Sequence, residues 1–226
     1  MHRLVASVVI CLLGVSSLDA QPMTEEFDSP SDLAQRWQAQ APKDATAKVE
    51  GGKLVLAHNY DMRFRPGVKM QSISPVNLSA NRVVFLMQVG PYDHGKATKK
   101  DLFNAYKFSL GDKVATLSIN RSVNKEVVRF FIDGKKVWDS YPFDRDRLFP
   151  VGSYIGFAID GKDWKVLCTD DPSDHKLMRA ADKSNSSQGT LAEPANLVGQ
   201  HLLHIDQSNI HGPQATWSIE RLLVQP

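Results

Sequence analysis

The stretch FNAYKFSLGDKVATLSINRSVNKEVVRFFIDGKKVW, residues 103–138, decides the fold. Apolar and polar residues alternate in two runs of this stretch, 106–110 and 115–119, and apolar residues recur at every second position in a third, at Val128, Phe130 and Ile132. This period-two pattern is typical of strands that bury one face. The pair Asp133-Gly134 separates the last run from the next one, and Asp-Gly favours a type I′ hairpin turn because both central residues need positive φ. The stretch therefore predicts an antiparallel β-meander.

Similar short runs occupy most of the remaining chain. They are found at 49–56, 70–73, 82–89, 153–159, 164–168, 201–206 and 215–224. The run RVVFLMQV at 82–89 is apolar at successive positions, which favours a central strand that is covered on both sides. No long helical pattern is present. The sequence predicts an all-β, two-sheet antiparallel sandwich over 21–226, with a long polar loop at about 169–200.

The first 20 residues differ from the rest in composition. A weakly positive start precedes an apolar run at 4–13 and small residues that end at Ala20, which together predict a cleavable secretory signal peptide. The run is too short for a comfortable membrane span, which needs about 20 apolar residues. We expect a secreted or periplasmic protein. Cys168 is the single cysteine after Ala20, so no intrachain disulfide is predicted.

Charge is balanced along the chain. The 27 Lys and Arg residues and 25 Asp and Glu residues give a formal net charge of +2, with the two signs mixed. Nucleic-acid-binding domains carry a basic stripe or patch, and the sequence shows none. The charge pattern therefore argues against a nucleic-acid partner, and no second apolar run is long enough to cross a membrane.

The order of these segments resembles the concanavalin A-like lectin/glucanase superfamily. The resemblance rests on VEGGKLVL at 49–56, VVRFFIDGKKVWD at 127–139, GSYIGFAI at 152–159 and WSIERLLV at 217–224. It covers nearly all of the chain after the signal peptide. It implies a jelly roll in which the first and last strands are neighbours, and whose concave face binds or cleaves polysaccharides in relatives. Laminin-G-like sandwiches of this kind also serve as protein-interaction modules.

Catalytic signatures of the superfamily are missing from the sequence. Laminarinase-type relatives carry E-x-D-x-x-E on one strand, where alternation presents nucleophile and acid to the cleft. Alginate-lyase-type relatives carry R-x-E-x-R. Neither pattern occurs here, so no catalytic residue is predicted. A carbohydrate-binding, lectin-like role is the leading hypothesis, with a divergent glycoside hydrolase or polysaccharide lyase and a protein-interaction module as alternatives.

Candidate ligand-binding residues lie in two loops and one turn. The segment after the first long strand carries His58, Tyr60, Asp61, Arg63 and Arg65. Two arginines beside a tyrosine would suit an acidic sugar, because guanidinium pairs with carboxylate or sulfate as a fork. The alternative is an exposed, charged loop.

The second set follows the central strand. It consists of Tyr92, Asp93 and His94, in a polar loop that reaches to about residue 101. Trp164 follows an Asp-Gly turn and is the predicted stacking platform for a sugar ring. The alternative is again a solvated turn. The other tryptophans are predicted to lie in the core: Trp37, Trp138 and Trp217.

The sequence contains residues that can bind metals but no spacing that fixes a metal site. His204 and Asp206 are two residues apart and would share one strand face, but no spacing fixes the third ligand that zinc needs. Calcium is the better alternative, with oxygen ligands from nearby aspartates: Asp160, Asp163, Asp170, Asp171 and Asp174. No loop shows a fixed calcium pattern, so no cofactor is predicted, with calcium as the alternative.

Overall fold

The computed structural model describes residues 22–59, 66–93, 103–122, 125–140, 143–144, 150–179, 186–211 and 215–226. These residues form two eight-stranded antiparallel sheets, a two-stranded sheet and one short helix. The two large sheets pack face to face, so the predicted two-sheet sandwich is confirmed.

One large sheet contains both ends of the described chain, and we call it the terminal sheet. Its strand order is β15-β14-β13-β7-β18-β4-β3, and β1 pairs with β18. Its strands are β1 (Met23–Glu26), β3 (Ala45–Val49), β4 (Leu54–His58), β7 (Arg82–Asp93), β13 (Tyr154–Asp160), β14 (Asp163–Thr169), β15 (Gln188–Thr190) and β18 (Ala215–Gln225). The first and last strands are neighbours, with Met23 opposite Val224, as the superfamily resemblance implied.

The other large sheet contains the predicted meander, and we call it the meander sheet. Its strand order is β11-β10-β9-β8-β17-β5-β2, and β12 pairs with β10. Its strands are β2 (Trp37–Gln40), β5 (Lys69–Ser72), β8 (Phe103–Leu110), β9 (Ala115–Arg121), β10 (Lys125–Ile132), β11 (Lys135–Asp139), β12 (Phe143–Asp144) and β17 (Leu203–His211). The remaining strands, β6 (Val76–Leu78) and β16 (Gly199–His201), pair with each other.

The meander folds as its turn residues predict. Asp133 and Gly134 join β10 to β11 with φ of 49° and 73°, the positive values that a type I′ turn requires. The Asp133 value is the only positive φ of a non-glycine residue in the described chain. The sequence signal at this turn therefore fixes the hairpin directly.

Aromatic side chains fill the space between the two sheets. Trp217 of β18 is fully buried and meets Tyr106 and Phe108 of β8 edge-on, with ring centroids 4.6 and 5.6 Å apart. Phe157 of β13 stacks on Phe130 of β10 at 5.0 Å. Each pair joins the terminal sheet to the meander sheet, and such ring contacts add to the free energy of area burial. The tryptophans predicted to be core are all at most 4% exposed: Trp37, Trp138 and Trp217.

Strand β7 is central, as its sequence predicts. It pairs with β13 on one side and β18 on the other. Val83, Phe85 and Met87 belong to the main core, whereas Val84 and Leu86 belong to a second apolar cluster on the opposite side of the sheet. The strand is longer than predicted and continues to Asp93, because it keeps pairing with the start of β18.

The segment 169–200 is not a loop throughout, which corrects the sequence prediction. It contains β15 and the first part of β16, and Met178 and Leu197 are 2% and 0% exposed. Leu177 bridges to Leu167 of β14. A few apolar residues in this otherwise polar segment therefore anchor it to the edge of the terminal sheet.

The single described helix, α1 (Pro30–Arg36), is one short element before β2. Ser29 caps it by accepting a hydrogen bond from the backbone N–H of Asp32 at 3.2 Å. Among the residues the structure describes, no helix has the length and apolar character needed to cross a membrane.

Candidate functional site

Polar side chains cover the outer face of the meander sheet. Residues directly opposite each other on paired antiparallel strands point to the same side of the sheet. The neighbours of these polar residues along each strand, such as Phe108 and Leu117, are buried in the core, so the polar residues point outward. We call this surface the polar face.

Strand register arranges the polar face in two rows that cross all seven strands of the main path. The first row consists of Gln38, Gln71, His204, Ser109, Thr116, Phe131 and Lys136. The second row, which we call the charged row, consists of Gln40, Lys69, Asp206, Lys107, Ser118, Arg129 and Asp139.

The centre of the polar face is recessed. Ser109 and Ser118 point outward, yet they are only 7% and 5% exposed. They are short, and the longer side chain of Lys107 stands beside them on the same face. The Ser109 Oγ lies 2.9 Å from the Thr116 Oγ1. A hydroxyl-lined floor between longer side chains forms a shallow trough, which a flat, extended ligand could occupy.

A depression of about 280 Å³ lies at one end of this trough. Its polar lining comes from β2, β5, β17 and the turn between β8 and β9: Gln38, Gln40, Lys69, Gln71, Asp112, His204 and Asp206. Amides both donate and accept hydrogen bonds, carboxylates accept them and ammonium groups donate them. The depression therefore offers every polar partner that a sugar hydroxyl can use.

Asp206 lines this depression, and the pKa of its carboxyl is shifted. Burial raises the pKa of its carboxyl, while the nearby His204, Lys69 and Lys107 act in the opposite direction. The acidic Asp112 adds to the rise. The His204 Nε2 lies 3.7 Å from the Asp112 Oδ1. His204 and Asp206 share one face, as their spacing predicts, but the described residues contain no cluster of three ligating side chains that could hold a metal ion.

Three residues predicted for ligand binding meet at one end of the terminal sheet, which we call the loop end. His58 ends β4 opposite Ala215, while Tyr92 and Asp93 lie at the end of β7. Asp93 is exposed and Tyr92 is half-buried. The other residues predicted in these two loops lie outside the described part of the chain: Tyr60, Asp61, Arg63, Arg65 and His94.

His58 lies inside the sandwich rather than in an exposed loop. It is 3% exposed, and burial lowers the pKa of its imidazole to about 4. The period of β4 explains this position, because Leu54 and Leu56 point into the core and His58 continues their alternation. Its predicted role in ligand binding stays a prediction.

A buried polar cluster lies between the sheets near the loop end. Arg121, at the end of β9, forms an ion pair of 2.5 Å with Glu126 at the start of β10, and both are at most 3% exposed. The guanidinium carbon lies 4.3 Å from the ring centre of Tyr92. The Tyr92 hydroxyl accepts a hydrogen bond of 2.9 Å from the Asn104 Nδ2. Strand register makes Arg121 and Glu126 opposite partners on β9 and β10.

Trp164 does not present the open ring face that stacking on a sugar needs. It is 7% exposed and packs in the core, 6.0 Å from Phe130 between ring centroids. Gly189 of β15 lies so close that a Cβ there would approach the indole within 2.7 Å. Val166, two residues after Trp164 on β14, is also buried, so alternation along the strand turns both side chains toward the core. Trp164 also lies far along the sheet from the loop end, because β14 pairs near Asp160 rather than near Asp93.

The aspartates considered for calcium are distributed around the β13–β14 hairpin and the segment after β14. The Oδ1 of Asp171 accepts hydrogen bonds from the backbone N–H and hydroxyl of Ser173, which lowers the pKa of its carboxyl. Asp163 accepts a hydrogen bond of 2.7 Å from Thr190. These local bonds account for the conformation of both carboxylates, and calcium binding stays a prediction.

Sequence reasoning missed most of the polar face. Gln38, Lys69 and Gln71 belong to short runs that the sequence assigned to no site. The signal was the alternation itself, since each lies one residue from a core position. What the sequence could not supply is the strand order, which places β2 and β5 beside β17.

Comparison with known proteins shows the fold. No protein-family model matches the chain, and no curated protein matches it in sequence. Among solved structures, the legume lectin-like domain from Entamoeba histolytica matches with a TM-score of 0.58 at 11% identity, over 89% of this chain and 96% of that one. A β-1,3-1,4-glucanase (lichenase) from a mouse hindgut metagenome matches with a TM-score of 0.55 at 12% identity, over 91% and 99%.

A third solved structure gives the same result. The lectin from Bauhinia forficata, in complex with GalNAc, matches with a TM-score of 0.56 at 8% identity, over 91% of this chain and 99% of that one. Likeness at such low identity is evidence for architecture and not for a shared site. The chain has the concanavalin A-like jelly-roll fold, which occurs both in proteins that bind carbohydrates and in proteins that cleave them.

Proposed function

We propose that this chain is an exported, lectin-like protein that binds a glycan on the polar face of the meander sheet. The observation that carries the proposal is the pair of polar rows with a recessed hydroxyl floor, on a fold shared with lectins and glucanases. The predicted signal peptide at 1–20 supports export. The binding role of the loop residues stays a separate prediction.

The chemistry of the polar face suits sugars. Sugar hydroxyls need both donors and acceptors, and Gln38, Gln71 and Asp206 supply them within one depression. Phe131 adds a half-buried aromatic ring at the other end of the first row, where the apolar C–H side of a sugar can pack. A trough of this kind fits a chain of sugars better than a compact molecule.

The test is retention of the purified protein on neutral, acidic and sulfated polysaccharides, with and without calcium. We expect retention on at least one class, and loss of about tenfold in affinity for Gln71→Ala or His204→Ala, because each removes a hydrogen-bonding group from the depression. Gln188→Ala is the matched control, since this exposed glutamine lies on β15 of the other sheet. A folded protein that no polysaccharide retains would refute the proposal, and stable sugar-independent capture of a protein partner would replace it with an interaction role.

A second candidate function is glycan cleavage. Asp206 has a raised pKa and shares its depression with the carboxylate of Asp112, and glycoside hydrolysis uses two carboxyl groups of which one is protonated. The same panel is therefore scored for new chain ends. Release of ends that Asp206→Asn abolishes would make the protein an enzyme, whereas retention without new ends supports the lectin-like role.

A further inference from the structure

Three cations recur at regular intervals along the charged row. Lys69 lies on β5, Lys107 on β8 and Arg129 on β10. One strand separates each from the next, β17 in the first gap and β9 in the second. Since neighbouring strands lie about 4.8 Å apart, the cations are spaced by about 9.6 Å at the backbone.

None of these three side chains forms a close ion pair within the described protein, although Lys69 and Lys107 lie near enough to Asp206 to act on the pKa of its carboxyl. Lys69, Lys107 and Arg129 make no ion pair or side-chain hydrogen bond among the described residues, whereas Lys136 at the border of the same face binds Asp139 at 2.6 Å. Lys107 is exposed and Arg129 is half-exposed. Cations whose hydrogen-bond donors have no partner among the described residues are available to a ligand, and a charge-assisted hydrogen bond to an anion is stronger than a neutral one.

The positions between the cations have a different character. Asp206 lies between Lys69 and Lys107, and Ser118 lies between Lys107 and Arg129. A carboxylate would repel an acidic group and accept hydrogen bonds from hydroxyls, while a serine hydroxyl suits a neutral sugar. The row therefore alternates between positions that favour an acidic group and positions that favour a neutral one.

We propose that the ligand is a linear polysaccharide with one acidic group in every two sugars, lying across the strands with its acidic groups on Lys69, Lys107 and Arg129. This inference rests on the proposed function and names its ligand class. Two sugars of an extended chain have about the length of two strand spacings, so the charge period of such a chain matches that of the row. A carboxylate and a sulfate would satisfy the cations alike.

The first experiment compares four polysaccharides on the intact protein. Hyaluronan carries one carboxylate per two sugars, carboxyl-reduced hyaluronan keeps the chain and loses the charge, κ-carrageenan carries one sulfate per two sugars, and a mannan is neutral. We expect binding to hyaluronan or to κ-carrageenan, which identifies the acidic group, and affinity that falls as salt rises. Carboxyl reduction should abolish hyaluronan binding.

Variants connect this binding to the row. Lys69→Gln, Lys107→Gln and Arg129→Gln should each weaken binding about threefold, and the triple variant on the order of 30-fold. Lys165→Gln is the matched control, because this exposed lysine lies on β14 of the terminal sheet. Circular dichroism and thermal melting of the triple variant establish that it is folded. Affinity for oligosaccharides should rise with length up to about six sugars, because three two-sugar repeats supply one acidic group for each of the three cations.

The outcomes separate this inference from the proposed function. Equal binding of neutral and acidic chains, or a triple variant that binds as the parent does, overturns the acidic-ligand inference and leaves the lectin-like role in place. Binding to none of the four overturns the acidic-ligand inference, and the absence of binding to every polysaccharide of a wider panel overturns the lectin-like role as well. If Lys165→Gln lost as much binding as Lys107→Gln, binding would not depend on the charged row in particular. That result would overturn the assignment of the ligand to the meander sheet.

Discussion

In the described part of the chain, the outer faces of the two sheets differ in that only the terminal sheet carries a buried apolar cluster on its outer side. On the terminal sheet, Val84, Leu86 and Tyr154 belong to a second buried apolar cluster. On the meander sheet, the corresponding outward positions carry lysine, serine, threonine and aspartate. Alternation of apolar and polar residues therefore persists in β8 and β9 and is lost in β7. The polar face, on which we propose that the ligand binds, belongs to the sheet whose strands still alternate.

Adding one charge to each face gives the largest expected contrast. Leu86→Asp places a carboxylate at a fully buried position of the apolar cluster, and we expect a loss of about 4 kcal/mol in the free energy of unfolding. Thr116→Asp, at a half-exposed position of the polar face, should cost about 1 kcal/mol or less. Urea unfolding of both variants measures the difference, and equal losses would show that the two faces are equally buried.

Lowering the pH should destabilise the protein through His58, which belongs to neither outer face. His58 is buried between the sheets, and burial lowers the pKa of its imidazole from 6.5 to about 4. Since the folded state resists protonation, the contribution of His58 is fully present above pH 6.5 and is lost as pH falls from 6.5 toward 4. The loss should reach about 3 kcal/mol at the acid end of this window.

The variant His58→Asn tests this assignment, because an amide does not titrate. Its free energy of unfolding should lose the part of the pH dependence that the parent shows in this window. His175→Asn, an exposed histidine after β14, controls for the substitution itself. A parent protein whose stability stays flat across the window would contradict the buried, neutral state of His58.

Local patterns predicted the strands well, but they could not indicate which distant residues strand order brings together. Asp133-Gly134 and the alternation in 103–138 are read directly from neighbouring residues, because a turn and a strand face depend on few positions. Trp164 was placed on the surface since it follows a turn, but the inward alternation of β14 decides its position. The depression joins Gln38, Asp112 and Asp206, which strand order brings together. Register over such distances along the chain is a tertiary property that no short pattern encodes.

Removing the charge of Asp206 from the polar face should change the free energy of unfolding least of all. It should increase this free energy, whereas the charge-adding substitutions above lower it. Burial raises the pKa of Asp206, so the folded protein holds the proton more tightly than the unfolded chain does. Its contribution is therefore present below the usual aspartate pKa and is lost as pH rises through the raised value. Asp206→Asn should increase the free energy of unfolding at neutral pH by a few tenths of a kcal/mol, because the group is partly exposed and solvent screens it.

Chemical unfolding at about pH 7 and about pH 3 measures this effect, and the gain should vanish at the lower value. A loss of stability at neutral pH would instead mean that the Asp206 carboxylate is held by its neighbouring cations as a structural ion pair. Natural proteins keep destabilising groups where function needs them. If Asp206→Asn stabilises the protein and also weakens glycan retention, the polar face keeps a destabilising carboxylate because ligand contact needs it. The apolar cluster of the terminal sheet, by contrast, contributes to folding.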